Sequence, residues 1–205
     1  MNRSLHIRPP AVAGMFYPAD AAELAREIQS YLAAVPATQA PAPKGLIVPH
    51  AGYVYSGAVA ASAYALLSLA RKTIRRVVLL GPAHRVPVRG LALPVAEAFA
   101  TPLGGVRIDA EGAAAALKLP QVSASDVAHN LEHSLEVQVP FLQSVLDDFT
   151  LLPFAVGAAT PAQVAEVLDL LWGGPETLIL ISSDLSHFHT YASAQGIDQG
   201  TAGEI

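Results

Sequence analysis

Three apolar runs in this chain lead into a histidine: "GLIVPH" ends at His50, "VVLLGPAH" at His84 and "LILISSDLSH" at His187, with Asp184 three residues before the last. Neutral imidazole is the commonest protein metal ligand, and two histidines with a carboxylate leave positions on a metal open to substrate or dioxygen. His50 and His84 are candidate ligands on this pattern, and Asp184 could supply the carboxylate. A lone histidine at a strand end is more often a hydrogen-bonded loop residue than a ligand. Three at equivalent positions, each framed by Gly, Pro or Ser that permit tight turns, favour one shared site. Gly52, Gly57 and Gly81 either let backbone approach a ligand closely or make turns. His6 and His189 read as surface or loop residues.

A competing site lies in "HNLEHSLEVQVPFL", residues 129–142. His129, Glu132 and His133 form H-x-x-E-H, the inverted zinc-protease pattern, in which two histidines one helical turn apart bind zinc and the glutamate is the general base. No downstream carboxylate stands out as a third ligand, and the same helix would have to bury Leu135, Val139 and Leu142. The bland reading of Glu132, His133 and Glu136 is a solvated helix face with a charge pair. The functional alternative has His133 and Glu132 lining the histidine crevice, in contact with substrate or supporting the ligands.

Three segments can deliver imidazoles to one place if the runs that precede them are parallel strands. Short, solidly apolar runs alternate with helical ones: "GLIVP", a helix over 57–70, "RRVVLLG", "VRGLALPV", helices near 110–117 and 131–146, "TLLPFAV", a helix near 161–171, and "ETLILISS". Strands apolar on both faces between helices predict a mostly parallel sheet covered on both sides, a three-layer α/β/α sandwich. In such sheets, ligands collect outside the carboxyl ends of the strands. Before this core, "DAAELAREIQSYL" predicts a helix from Ala21 to Ala33 capped by Asp20, with Glu23 as the reciprocal acid. The proline-rich "VPATQAPAP" reads as a surface link, and the 205 residues as one domain.

Residues 51–70 are twenty without a formal charge. They hold three Tyr, three Ser and two Gly, and Val59, Ala63, Leu66, Leu67 and Ala70 recur at helical spacing, which predicts a helix packed on the sheet rather than a membrane span. The start, "MNRSLHIRPP", lacks the apolar core of a signal peptide, which predicts a cytoplasmic protein. Only 14% of residues are charged, against about 25% in an ordinary soluble domain, so part of the surface is expected to be covered, with self-association as one means. The net charge of −5, from 12 basic and 17 acidic residues without runs, leaves no footprint for nucleic acid or anionic lipid and favours small or neutral partners. With no cysteine there is neither a disulfide nor a thiolate metal site in these residues.

"RPPAVAGMFYP", "VPHAGYVYSG", "GPAH", "EHSLEVQVPFL", "LLPF" and "SSDLSH" occur in that order. Together they resemble the Memo family, whose bacterial members are called AmmeMemoRadiSam system protein B. The resemblance runs from Arg8 to about Asp198. It implies a fold similar to the class III extradiol dioxygenases, with a non-haem metal, Fe(II) or alternatively copper, on His50 and His84. It also implies that His187 stands where those enzymes keep an acid/base histidine, that Asp184 lines the same site and that His133 sits nearby.

The family's chain continues past the point where this one stops at "GTAGEI", and its third metal ligand is a cysteine in that later part. The sequence, with no cysteine, is therefore expected either to be shortened or to rely on Asp184, water or substrate for the remaining positions. The resemblance further implies a metal-dependent oxidoreductase. Its rival is a non-enzymatic module that binds a peptide or small ligand in the same crevice, and an H-x-x-E-H zinc hydrolase is the third reading. Expected protein partners are an AMMECR1-like protein and a radical SAM protein.

Overall fold

The computed structural model describes residues 5–205. In chain order its elements are β1 (Ile7–Arg8), α1 (Ala21–Ala33), β2 (Gly45–Val48), α2 (Tyr53–Tyr64), β3 (Arg76–Pro82), β4 (Leu91–Leu93), β5 (Ala98–Thr101), β6 (Gly104–Arg107), α3 (Ala110–Ala116), β7 (Val122–Ala124), α4 (Asp126–His129), α5 (Val139–Val145), β8 (Thr150–Val156), α6 (Pro161–Leu171), β9 (Thr177–Ser182) and α7 (Tyr191–Gly203). Two 3₁₀ turns join them, Ala65–Ala70 after α2 and Glu136–Gln138 before α5.

The central sheet has six strands in the order β2-β9-β3-β8-β4-β7, and each neighbouring pair is parallel except β4 with β8. Alternate residues of each strand feed opposite layers, as the two-residue period of a strand requires. Val77, Leu79, Leu151, Leu178 and Leu180 pack with Leu24, Ile28, Tyr64 and Phe141 from the α1, α2 and α5 side. Val78, Leu80, Leu152, Phe154 and Ile179 pack with Ala116, Val167 and Leu171 from α3 and α6. The predicted three-layer α/β/α sandwich is the observed fold. The crossing helices cover both faces because an all-but-parallel sheet cannot present either face to water.

α1 keeps its predicted bounds: Asp20 accepts the Glu23 N–H at 2.8 Å and caps the helix. α6 also begins where its sequence signals it, with Thr160 and Gln163 forming a capping box and Pro161 in the first turn.

Three expectations are corrected. The helix over 57–70 begins earlier, at Tyr53, and tightens to 3₁₀ after Tyr64. Its buried residues are Tyr53, Ser56, Gly57, Ala60, Ala61 and Tyr64; of the expected stripe Leu67 is buried and Ala63, Leu66 and Ala70 pack against the core, whereas Val59 is 62% exposed. Small residues win the inward face because the helix lies close to α1, where a Cβ on Gly57 would sit 2.5 Å from the Tyr31 ring. Residues 131–146 do not form one helix: 130–135 is a turn, and α5 starts only at Val139. Glu132 turns its carboxylate onto the N–H groups of His133 and Ser134, a local bond that competes with helical pairing, and Pro140 suits the first turn of a helix rather than its middle. The three-stranded sheet β1-β5-β6 and the helix α7 are additions that the apolar pattern did not signal.

Tyr53–Ala70 is long and apolar enough to cross a membrane by composition. Its Tyr64 and Leu67 are fully buried in the core against the sheet, the place of a core helix.

Candidate metal centre

The order β2-β9-β3 sets three parallel strands side by side, so their carboxyl ends open onto one edge of the molecule. His50 follows β2 by two residues, His84 follows β3 by two, and Asp184 follows β9 by two. The turn over 130–135 lies across the same end, where the Ser134 hydroxyl donates to Pro82 O at 2.8 Å and the Ser182 hydroxyl to Ser134 O at 2.6 Å. That turn carries His133 into the cluster.

His50, His84 and His133 each present a ring nitrogen within 4.8 Å of the others. Their ring centroids stand 5.3 Å (His50–His84), 5.7 Å (His50–His133) and 4.7 Å (His84–His133) apart. Metal–nitrogen bonds of about 2.1 Å place the ligand nitrogens of one ion about 3–4 Å apart, so a small turn of the rings closes the gap.

Hydrogen bonds fix which nitrogen two of the rings offer. The single proton of the Ser182 hydroxyl goes to Ser134 O, so the hydroxyl accepts from His50 Nδ1 at 3.1 Å and from Gln138 Nε2 at 2.9 Å. His84 Nδ1 lies 2.9 Å from Glu132 Oε1, a carboxylate that can only accept. Both imidazoles therefore carry a proton on Nδ1, which leaves Nε2 as the nitrogen each ring can offer an ion. His133 Nδ1 is 3.3 Å from Glu132 Oε1 but out of line for a hydrogen bond, so it is a buried nitrogen without a partner. Phe16 packs on this ring with centroids 4.7 Å apart.

Burial lowers the pKa of His50, with the Asp184 charge opposing in part, and burial likewise lowers that of His133, against the pull of Glu132. Neutral rings are the ligating form. Burial alone would raise Glu132. The ring and backbone N–H groups of His84 and the N–H of Ser134 outweigh it and bring the carboxyl down to about 2. Three imidazoles in a cluster that opens to solvent at His84, whose side chain is 39% exposed, could hold a metal ion with positions to spare.

Asp184 flanks the cluster without joining it. Its Oδ1 accepts the His50 N–H at 2.6 Å, and its Oδ2 lies 3.7 Å from His50 Nε2 and 3.6 Å from His187 Nε2. His187, with its side chain 59% exposed, is thus linked to the three rings through Asp184 and is not one of them. A pocket of about 760 Å³ begins here, with Asp184 and His187 in a wall otherwise made largely of Ile47, Tyr55, Val59, Ile181 and Leu185.

The H-x-x-E-H reading is overturned. His129 ends α4, is 1% exposed, places Nε2 2.9 Å from Ala92 O and packs edge-on against Phe99. Without a helix through 129–133 the two histidines do not share a face, and the Glu132 carboxylate is 1% exposed and engaged by four N–H groups, three on Oε1 and one on Oε2, which leaves it no open face toward a metal-bound water. Of the residues expected at the site, His50, His84 and His133 come together, Asp184 and His187 stand beside them, and the third imidazole takes the place foreseen for a carboxylate. Ser182, Gln138 and Phe16 lie inside the motifs SSDLSH, EHSLEVQVPFL and RPPAVAGMFYP, but nothing in their type or spacing marks them as site residues. Gly81 serves packing: a Cβ there would meet the Leu135 and Ser134 side chains at 2.9 and 3.0 Å.

Residues 8–202 match the Memo-like protein family. A MEMO1 family protein of Ignicoccus hospitalis is 38% identical over 203 residues, covering 90% of this chain and 70% of that protein. One from Aquifex aeolicus is 38% identical over 200 residues, covering 95% and 73%, and one from Methanobrevibacter smithii is 34% identical over 209 residues, covering 94% and 73%. With the family's motifs converging on one set of histidines, and the match running through all of the central sheet, the chain belongs to the Memo family.

Proposed function

We propose that this chain is a metal-dependent oxidoreductase of the extradiol-dioxygenase type, with Fe(II), or alternatively copper, held by His50, His84 and His133. The observation that carries the reading is the approach of three ring nitrogens to within 4.8 Å at the carboxyl end of a parallel sheet. A bound ion would supply the point at which substrate and dioxygen are held together, turning an encounter into an intramolecular step.

The chain's own residues supply the rest. Asp184 anchors the His50 backbone through Oδ1 and faces His187 through Oδ2. With Nε2 of His187 turned to that carboxylate, Nδ1 is the nitrogen left to exchange a proton with a substrate, and the carboxylate steadies the imidazolium that results. The apolar walls of the adjoining pocket hold an organic substrate and limit water around it.

A second reading is favoured by that same pocket: its largely apolar lining suits a peptide or small ligand that is bound and not transformed. Partnership with an AMMECR1-like protein and a radical SAM protein, a cytoplasmic location and self-association belong to the proposal with either reading.

Anaerobic reconstitution with Fe(II) tests it. Wild type should take up one equivalent, His50→Ala, His84→Ala and His133→Ala should each lose it, and His187→Gln should keep it. Iron retained in all three alanine variants defeats the metal reading, and an unloaded wild type that still binds ligand favours the binding module.

A further inference from the structure

Glu132 is charged, 1% exposed and aimed at two of the three clustered histidines at once. Its Oε2 accepts the His84 backbone N–H at 2.5 Å. Its Oε1 accepts from His84 Nδ1 at 2.9 Å, the His133 N–H at 2.9 Å and the Ser134 N–H at 3.0 Å. A carboxylate with this many donors is neither a spare base nor a ligand. It is a bracket between the loop after β3 and the turn over 130–135, segments 48 residues apart in the chain.

We propose that Glu132 is the positioning residue of the metal centre: it holds His84 as the Nδ1–H tautomer, so that Nε2 faces the ion, and it sets the His133 backbone so that the two rings stack. This rests on the metal reading for its consequence, although the tautomer it predicts does not require a metal. The chemistry is specific to a carboxylate. An amide at this position would set its own NH₂ or its single carbonyl against four N–H groups, leaving at least one donor unsatisfied and favouring reversal of the His84 tautomer. Support of this kind for a metal-bound histidine is worth about 10- to 100-fold in metal affinity.

The first test is the tautomer itself. Long-range ¹H–¹⁵N spectra of the metal-free protein at pH 7.5, with His84→Gln identifying the resonance, should show His84 protonated on Nδ1. An Nε2–H tautomer overturns the proposal whether or not metal binds. The second test titrates Co(II) and reads its visible absorption. Wild type should bind with a defined ligand-field spectrum, and Glu132→Gln should bind about 10- to 100-fold more weakly with an altered spectrum. Equal affinity with an unchanged spectrum in Glu132→Gln overturns the positioning role and leaves the metal site standing. A wild type that binds no Co(II) or Fe(II) defeats the metal reading instead, and the tautomer then still decides what Glu132 does.

Discussion

Arg8 Nη1 donates to Glu136 Oε2 at 2.6 Å, and the two side chains are 2% and 0% exposed. The same carboxylate accepts from Ala11 N, Val12 N and the Tyr17 hydroxyl, while the guanidinium also reaches the carbonyls of His129 and Glu132 at 2.8 Å each. One buried pair therefore pins the segment after β1 to the turn that carries His133. Burial and then the Glu136 charge push the Tyr17 hydroxyl above its ordinary value, so it stays a donor.

Arg8→Met should leave the Glu136 carboxylate buried without its cation and cost about 3–5 kcal/mol, read from the urea unfolding midpoint. Arg8→Lys should recover little, because a single ammonium cannot span three acceptors. Replacing both partners, as Arg8→Met with Glu136→Leu, should cost less than the sum of the two single changes. A loss under about 1 kcal/mol for Arg8→Met contradicts the account.

The metal-free protein should weaken in acid, in two stages. Burial holds His129 neutral and lowers its pKa from 6.5 to about 4. The unfolded chain takes up that proton first, so the contribution is complete above pH 6.5 and is lost as the pH falls to about 4, a change of about 3 kcal/mol when complete. Glu132, lowered from 4.5 to about 2, contributes above pH 4.5 and loses its share as the pH falls toward 2. Urea unfolding at pH 7, 5.5 and 4.5 should show the first stage, to which His50 and His133, also lowered by burial, add in the same direction, and His129→Gln should make it shallower. A His129→Gln profile parallel to wild type would contradict the assignment.

Under the proposed oxidoreductase reading, His187→Gln should bind iron as wild type does and turn over about 10²- to 10⁴-fold more slowly, since it removes a proton-transfer group and no ligand. Asp184→Asn should lower activity and also weaken metal retention, because its carboxylate touches His50 as well as His187. Parallel metal assays and steady-state rates separate the two effects. Loss of iron in His187→Gln would place that ring among the ligands.

Gly81→Ala should cost about 1–3 kcal/mol and loosen the metal, because the new Cβ presses on Ser134 and Leu135 and pushes the His133 turn away from β3. Thermal unfolding and Co(II) affinity check the two halves. Unchanged Co(II) affinity in a destabilised protein would separate β3 packing from the geometry of the site.

Most strands of the central sheet and the helices α1, α3 and α6 were legible because their signals are local. The β8 run "TLLPFAV" is apolar throughout and bounded by turns, and the cap of α1 lies within four residues. β1, β5 and β6 were not legible, since strands of two to four residues in a small side sheet depend on pairing with segments up to 91 residues away. The turn over 130–135 looked helical for a related reason. Its sequence fits a helix, but Glu132 finds better partners in its own following N–H groups and in His84, 48 residues back.

By itself the sequence determined that parallel strands end in histidines, because strand period, apolar run length and the Gly, Pro and Ser that stop a strand are properties of neighbouring residues. Which histidines meet was decided only by tertiary structure. The order β2-β9-β3 brings His50 and His84 together, the buried Glu132 draws in His133, and Asp184 keeps His187 at one remove. Those outcomes depend on contacts between distant segments in a low-dielectric interior, where a carboxylate must be fully paired with donors wherever the fold supplies them.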